Sequence, residues 1–376
     1  MALISAIENI VIDRQKLLTH EDMLDGISLA SVLPGPVAAN VVGYVGYRLR
    51  GGIGALITAT AVLLPSFVLV VALTIAYLQA GEIPAVNKVF AGFIPAVVAI
   101  IIIAATRMSK KAIKGWREIS IAAVAAILIK SIGGFYITLV VILGAGLFGW
   151  LAFRCKVAKN LAANSIEQEL EPLDLKKIAI PLAILGVILS LSLLPLPLGE
   201  DSLAKLFVTF SGMSLMLFGG GYVFIPMIQE VVVNNYGWVT QTEFTNAIAM
   251  GQITPGPILI SAAFIGYVVK GIAGAFVSTV AIFFPSGLLM VTMSHLLERI
   301  KGSIIIQAAL KGIRPAVIGM IFTAAIVVAQ TSQIASIQEI LVSLLIFAAS
   351  LTAIWKLKLE VVLIIPLAGL VGLFLY

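Results

Sequence analysis

"SVLPGPVAAN", residues 31–40, sets two prolines and a glycine in the middle of a run apolar enough to cross a bilayer. The same order returns in "GQITPGPILI", residues 251–260, as Pro255, Gly256 and Pro257. A proline inside a helix removes a backbone hydrogen bond and crowds the preceding turn. Two such breaks in matching surroundings call for a physical reason.

Around them, the 376-residue chain is 61% hydrophobic and 11% charged, with a mean hydropathy of +1.13. Soluble domains carry about 25% charged residues. The solvent for this chain is therefore lipid. Apolar runs of roughly 20 residues recur with short polar joints and without a two-residue alternation, which predicts helices and not barrel strands. Membrane segments are expected near 26–47, 51–80, 86–106, 118–133, 135–153, 177–197, 203–230, 243–268, 271–297, 304–330, 337–354 and 358–376, an all-α polytopic membrane protein of about twelve segments.

The net charge of +6 sits in the joints, where topology explains it, so no nucleic-acid partner is expected and lipid is the surrounding medium. Cys155 is the single cysteine and His20 and His295 are far apart, which leaves no basis for a disulfide, a metal site or a cofactor. Met1 to Arg14 lacks the basic n-region and small-residue cleavage site of a signal peptide.

The chain repeats itself. An offset of 221 places Thr19, Asp22 and Pro34-Gly35-Pro36 on Thr240, Glu243 and Pro255-Gly256-Pro257. At 220 the match continues through Gly46/Gly266, Tyr47/Tyr267, Gly51/Gly271, Gly54/Gly274, Ala55/Ala275, Ala61/Ala281, Pro65/Pro285 and Ser66/Ser286, then Pro95-Ala96-Val97 on Pro315-Ala316-Val317. Internal duplication is the starting point of many transporter folds. The expected organisation is a first transmembrane repeat at 1–153, a cytoplasmic linker at 154–176, a connecting helix at 177–197 and a second, inverted repeat at 203–376. Met1 falls on Tyr222, so the first repeat lacks its first span, and the natural start either lies here or upstream.

Loop charge gives an independent test. "RMSKKAIKGWRE" after the segment ending near 106 is strongly basic, whereas its counterpart "QTSQIASIQE" at 330–339 has no basic residue. By the positive-inside rule the halves are antiparallel, with 107–117 and 154–159 cytoplasmic. The joint 231–242 should then be cytoplasmic too, yet it carries no Lys or Arg.

In a bilayer, non-helical backbone survives only where protein or a wet cavity receives it. Proline suits the first turn of a helix, and Thr254 is a candidate N-cap ahead of Pro255. Helices beginning after each Pro-Gly-Pro would present free N–H groups and a positive dipole end near the midplane, an anion site made chiefly of backbone. Gly219, Gly220 and Gly221 allow close backbone approach. Asn40 and Gln252 are polar neighbours of the breaks. Arg314 lies 13 residues beyond Lys301, about 20 Å along a helix, where a guanidinium is a functional candidate. Blander readings stand beside these: a simple kink, tight helix packing at the glycines, and an arginine that snorkels or pairs with a carboxylate.

"FGGGYVFIPMIQEVV", "GWVTQTEFTNAIAMGQITPGPILISAAFIGY" and "FFPS", with "LASVLPGPVAANVVGYVGYRLRGGIGALITATAVLLPS" in the first half, resemble the chromate ion transporter family over nearly the whole chain. The resemblance implies a bacterial or archaeal cytoplasmic-membrane protein exporting chromate, with sulfate a related oxyanion. Its motif residues fall on Gly219 to Tyr222, Gln252, Pro255 to Pro257, Gly266, Tyr267, Pro285 and Ser286, and on Pro34 to Pro36, Gly46, Tyr47, Pro65 and Ser66. The departure is the absent first-half glycine motif. A carrier of sulfate or another anion on the same scaffold is the alternative, and a homodimer stays open. An intramembrane enzyme would need a nucleophile with a base, or metal ligands, and no HExxH or partner for Ser66 and Ser286 is visible, so no enzyme is expected.

Overall fold

A computed structural model of the chain describes residues 4, 7–80, 83–132, 135–163, 175–194, 197–199, 201–218, 224–254, 256–297, 300, 303–330 and 336–376. Among them there are helices and no strand. The first half contains α1 (His20–Val32), α2 (Val37–Ala80), α3 (Pro84–Ala112), α4 (Trp116–Ser131) and α5 (Phe135–Ala163). After α6 (Leu175–Leu193), the second half contains α7 (Leu203–Met216), α8 (Phe224–Gln229), α9 (Gln241–Ile253), α10 (Ser261–Ser294), α11 (Ile304–Gln330), α12 (Ile337–Trp355) and α13 (Val361–Leu375). Among the described residues six stretches are long and apolar enough to cross a bilayer: Val37–Ala80, Ala85–Lys110, Tyr136–Lys159, Ile258–Ser294, Ile304–Gln330 and Ile337–Trp355. The chain is an all-α, multi-pass membrane protein. Of the stretch expected as a linker, 154–163 continues α5, and 164–174 lies outside the described residues.

The breaks do more than kink a span. α1 opens with a capping box in which Thr19 Oγ1 accepts from the Asp22 N–H at 3.1 Å and the Asp22 carboxylate accepts from the Thr19 N–H at 3.2 Å. It ends at Pro-Gly-Pro, where Gly35 takes φ +109°, and the chain turns back on itself. Arg48 donates to Asp22 at 2.5 Å, and a Cβ on Gly26 would stand 2.5 Å from the Tyr44 ring. Both pairs are centred on Gly35, so α1 and the first leg of α2 form an antiparallel hairpin. The expected segment 26–47 is thus one arm and part of another, and not a single crossing.

The chain then reverses a second time. Inside α2, Arg50 (φ −144°, ψ 29°) and Gly51 (φ 61°, ψ −152°) are not helical. Gly46 abuts Gly54, and Thr58 Oγ1 donates to the Val42 carbonyl at 3.1 Å across the turn. In a straight helix those last two residues would lie about 24 Å apart. Gly51 adopts a conformation nearly confined to glycine.

The capping box and the internal reversal both recur in the second half. α9 opens with the Thr240/Glu243 capping box, at 3.2 and 2.7 Å. Lys270 (φ −145°, ψ 30°) and Gly271 (φ 60°, ψ −150°) make the same reversal inside α10, with Gly266 against Gly274. π-turns at Asn9–Arg14 and Glu230–Asn235 precede the two hairpins. Even the contact between π-turn and hairpin is conserved in position: Glu8 and His20 stand 3.5 Å apart, and Gln229 donates to Gln241 at 2.7 Å.

The open ends of the two hairpins lie at opposite ends of the bundle. Tyr47 hydrogen-bonds His295 at 2.9 Å, and Val11, Met23 and Tyr44 share an apolar cluster with Leu297 and Ile300. The same end holds the finish of α3, where Lys110 lies over Trp355 at 5.1 Å, and Arg117, which donates to Ala152 at 3.5 Å. At the other end, Lys205 lies over the Tyr236 ring at 4.2 Å beside Tyr136, and Gln229, Glu230 and Asn234 line a cavity with Lys130 and Gln330. This corrects the sequence reading of 231–242. The joint lies opposite the basic residues 107–117, because the segments at 203–236 and 241–270 each return to the end they left; its lack of Lys and Arg is then in keeping with its position.

The halves are interlocked. Gly92 on α3 packs on Gly372 of α13, where a Cβ would stand 3.0 Å from the Gly372 Cα. Gly312 on α11 packs on Gly149 of α5, where a Cβ would stand 2.7 Å from the Gly149 Cα. Gly92 and Gly312 are 220 apart, so each half grips the last helix of the other through equivalent glycines. Small residues let backbones approach this closely where lipid offers no hydrophobic drive for helices to associate.

Candidate functional site

Each Pro-Gly-Pro turn ends against the other half. Gly35 lies on Ser286 of α10: a Cβ built on it would be 2.7 Å from the serine Oγ. Gly256 lies on Ser66 of α2: a Cβ there would be 2.9 Å from the serine Cβ. The glycines make the approach possible, and both serines are fully buried. They follow Pro65 and Pro285, which sit inside their helices.

At the first tip, the Gly35 N–H donates to the Leu217 carbonyl at 2.8 Å, and Asn40 Nδ2 donates to the Pro34 carbonyl at 3.2 Å. Pro34, Gly35, Pro36 and Asn40 are therefore a packed unit, with Asn40 2% exposed. At the second tip, the Gly256 N–H donates to the Thr254 carbonyl at 2.8 Å and Thr254 Oγ1 donates to the Gly251 carbonyl at 2.9 Å. Thr254 thus closes the end of α9, and does not act as an N-cap for the helix that follows. Ile258–Ile260 begins that helix as a 3₁₀ turn directly after Pro257, with no side-chain cap. Its counterpart α2 begins at Val37 after Pro36.

The first amides of a helix have no preceding turn to donate to. Asn40 N–H reaches the Pro36 carbonyl at 2.9 Å and Ile260 N–H the Pro257 carbonyl at 3.0 Å, which leaves the amides before them facing outward from the helix starts. Residues 37–39, Gly256 and Pro257 are partly exposed, so open space remains beside both starts.

Of the other sequence candidates, Gln252 is buried on the last turn of α9, four residues before Gly256, and its Nε2 has no hydrogen-bond partner among the described residues. Gly219, Gly220, Gly221 and Pro255 lie outside the described residues. Arg314 is on an exposed side of α11 and makes no hydrogen bond or ion pair among the described residues. Its helix is held through Gly312 against α5 and through Gly319 against α4. Two cavities of about 400 and 330 Å³ lie at the end of the bundle away from residues 107–117, and neither is lined by a Pro-Gly-Pro residue. Sequence reasoning carried Ser66 and Ser286 only as motif residues; the signal was available in the shared Pro-Ser pair within each repeat, but nothing in the sequence says that each serine meets the opposite turn. No group of three or more His, Cys, Asp or Glu that could hold a metal occurs among the described residues.

The family described as chromate transporter matches residues 1–150 and 204–373. A chromate transport protein of Cupriavidus metallidurans is 31% identical over 97% of this chain and 86% of its own. A probable chromate transport protein of Synechococcus elongatus is 31% identical over 100% of this chain and 91% of its own. An uncharacterized transporter of Methanocaldococcus jannaschii is 29% identical over 98% of this chain and 88% of its own. No solved structure matches. With both repeats and their Pro-Gly-Pro turns inside the matched residues, the chain belongs to the chromate transporter family.

Proposed function

We propose that the chain exports chromate across the cytoplasmic membrane of a bacterium or archaeon, as a secondary transporter alternating between access to each side. The observation that carries this reading is the crossed pair of tips, Gly35 on Ser286 and Gly256 on Ser66. Two hairpins that start at opposite ends of the bundle and meet each other's helices support inverted repeats, at 1–153 and 203–376, joined through 154–176 and the helix at 177–197. The positive-inside rule then makes the end bearing residues 107–117 cytoplasmic.

The chemistry suits a tetrahedral dianion. Helix starts aim N–H groups and the positive end of a dipole at one region, with Asn40 and Gln252 beside them, and Pro34 to Pro36 and Thr254 to Pro257 shape the two turns. Gly219 to Gly221 belong to this reading through their place in the motif. Arg314, on an exposed side of α11, is left out of this reading. Rocking one repeat against the other would separate one tip from its serine while the other stays closed. An inside-negative potential drives two negative charges outward with about 4.6 kcal/mol per 100 mV, so efflux needs no nucleotide.

Uptake of labelled chromate and sulfate into inverted membrane vesicles tests the reading. Wild type should accumulate chromate, and Gly256→Leu, which drives a side chain into Ser66, should not. Vesicles that take up neither anion refute the assignment; sulfate uptake without chromate moves it to the sulfate alternative.

A further inference from the structure

The two tips differ in their side-chain donors. Ser66 is 0% exposed and Gln252 8% exposed, and among the described residues both Ser66 Oγ and Gln252 Nε2 lack a hydrogen-bond partner. Both belong to one tip: Ser66 touches Gly256, and Gln252 lies four residues before Gly256, on the last turn of α9. Their counterparts in the repeat are both occupied by their own helices. Ser286 Oγ donates to the Phe283 carbonyl at 3.2 Å, and Ser31 Oγ donates to the Ile27 carbonyl at 2.7 Å.

Buried polar groups are ordinarily paired, so each exception needs a reason. Among the described residues Ser211 and Ser214 on α7, Gln241 Nε2 at the start of α9 and Ser278 on α10 are also unpaired; Gln241 lies at the end of α9 away from the tip, where its Oε1 accepts from Gln229. Ser278 is pressed against Gly266 inside the second hairpin, and α7 corresponds to no helix of the first half, so neither allows a comparison of tips. Ser66 and Gln252 do, and they come from opposite halves.

We infer that Ser66 and Gln252 are the side-chain donors that hold one tetrahedral oxyanion at the second Pro-Gly-Pro tip, so that the site is one-sided despite the repeat. The inference rests on the function proposed above and adds the placement. A hydroxyl and an amide NH₂ both donate, and the four oxygens of chromate or sulfate only accept. A neutral donor set beside a helix start can bind such an anion with no fixed cation. The bound oxygens would satisfy both unpaired donors.

The purified full chain, reconstituted in liposomes, tests this through initial rates of labelled chromate and sulfate transport, with KM and kcat separated. Ser66→Ala and Gln252→Leu should each raise KM tenfold or more for both anions. Gln252→Glu keeps the shape but replaces the donor with an acceptor; it should lose transport to a similar degree while eluting as a single folded species with unchanged thermal stability. Ser31→Ala should stay within twofold of wild type, and Ser286→Ala, whose hydroxyl is already tied to its own helix, should raise KM less than Ser66→Ala does. Equal losses at Ser286 and Ser31, or wild-type KM in Ser66→Ala together with Gln252→Glu, would overturn the one-sided site while leaving the proposed function intact. A wild-type chain that transports neither anion would overturn both.

Discussion

Gly256 lies so near Ser66 that a methyl group on it would stand 2.9 Å from the serine Cβ, closer than side-chain carbons pack. The residues belong to different halves, so the contact couples the repeats at the point where each is broken. Gly256→Ala should destabilise the protein by roughly 1–3 kcal/mol and slow transport. Adding Ser66→Gly should restore the melting temperature in detergent, because it removes the obstructing atoms. The equivalent pair, Gly35→Ala with Ser286→Gly, should not recover, since Gly35 also has φ +109°, which an L side chain rarely adopts. Equal rescue at both tips would mean that contact and not backbone strain sets the requirement at Gly35.

The hairpin reversals make a second case for glycine. Gly51 and Gly271 have φ of 61° and 60° with ψ near −150°, and a Cβ at either would meet nothing within 4 Å. Any penalty there comes from backbone conformation alone, about 1–3 kcal/mol. Gly51→Ala and Gly271→Ala should lower the melting temperature by similar amounts. Gly52→Ala, where there is equal space and no positive φ, should be close to neutral.

Much of this was legible beforehand. The duplication was carried by residues whose backbone demands are unusual, Gly, Pro and the capping Thr, so it survived in identity where the apolar positions drifted. The hairpins were not legible. Residues 26–47 and 243–268 have the length and hydropathy of spans, and a reversal at Pro-Gly-Pro differs from a kink only in the dihedral angles at Gly35 and its neighbours. The wrong parity for 231–242 followed from that one ambiguity. The crossed contacts, Gly35 with Ser286 and Gly92 with Gly372, are tertiary and leave no local pattern to read. Arg314 illustrates the opposite hazard: depth along a helix is readable, but the direction in which the side chain points depends on which face Gly312 and Gly319 bury.

Asp22 should give the first hairpin a measurable pH dependence. The Thr19 hydroxyl chiefly, then the Thr19 N–H and Arg48, hold its carboxyl below the ordinary value of 3.8, against the opposing effect of partial burial. A depressed carboxylate contributes stability above its unfolded value and loses it as the pH falls through the folded one. Asp22→Asn should therefore cost about 0.5–1 kcal/mol at neutral pH, as expected for a partly exposed pair. The difference from wild type should shrink below pH 3.8. Thermal unfolding at pH 7 and at pH 3 compares the two.

Arg314 is exposed and unpaired among the described residues. Arg314→Ala should transport chromate within about twofold of wild type, since truncation of a surface side chain away from special contacts changes stability by about 0.5 kcal/mol or less. Loss of transport with normal membrane insertion would bring the guanidinium back to the substrate path.

The interlocking of the halves predicts an asymmetry between stability and activity. A Cβ at Gly312 would collide with the Ala145 carbonyl of α5, and one at Gly92 with the Ala368 carbonyl of α13. Both acceptors are backbone, which cannot step aside as a flexible side chain can, so Gly312→Val and Gly92→Val must pry the helices apart. Each should cost several times the roughly 1 kcal/mol of a glycine replaced where space allows, and each should reduce the yield of folded protein. Gly144→Val on the same α5 helix, with nothing within 4 Å of its Cβ, should be recovered at wild-type levels. Because neither glycine touches a Pro-Gly-Pro turn, the Gly312 and Gly92 variants that do fold should keep a wild-type KM for chromate. A raised KM in those survivors would show that the grip between repeats also shapes the tips, and that packing and binding are not separable along α3 and α11.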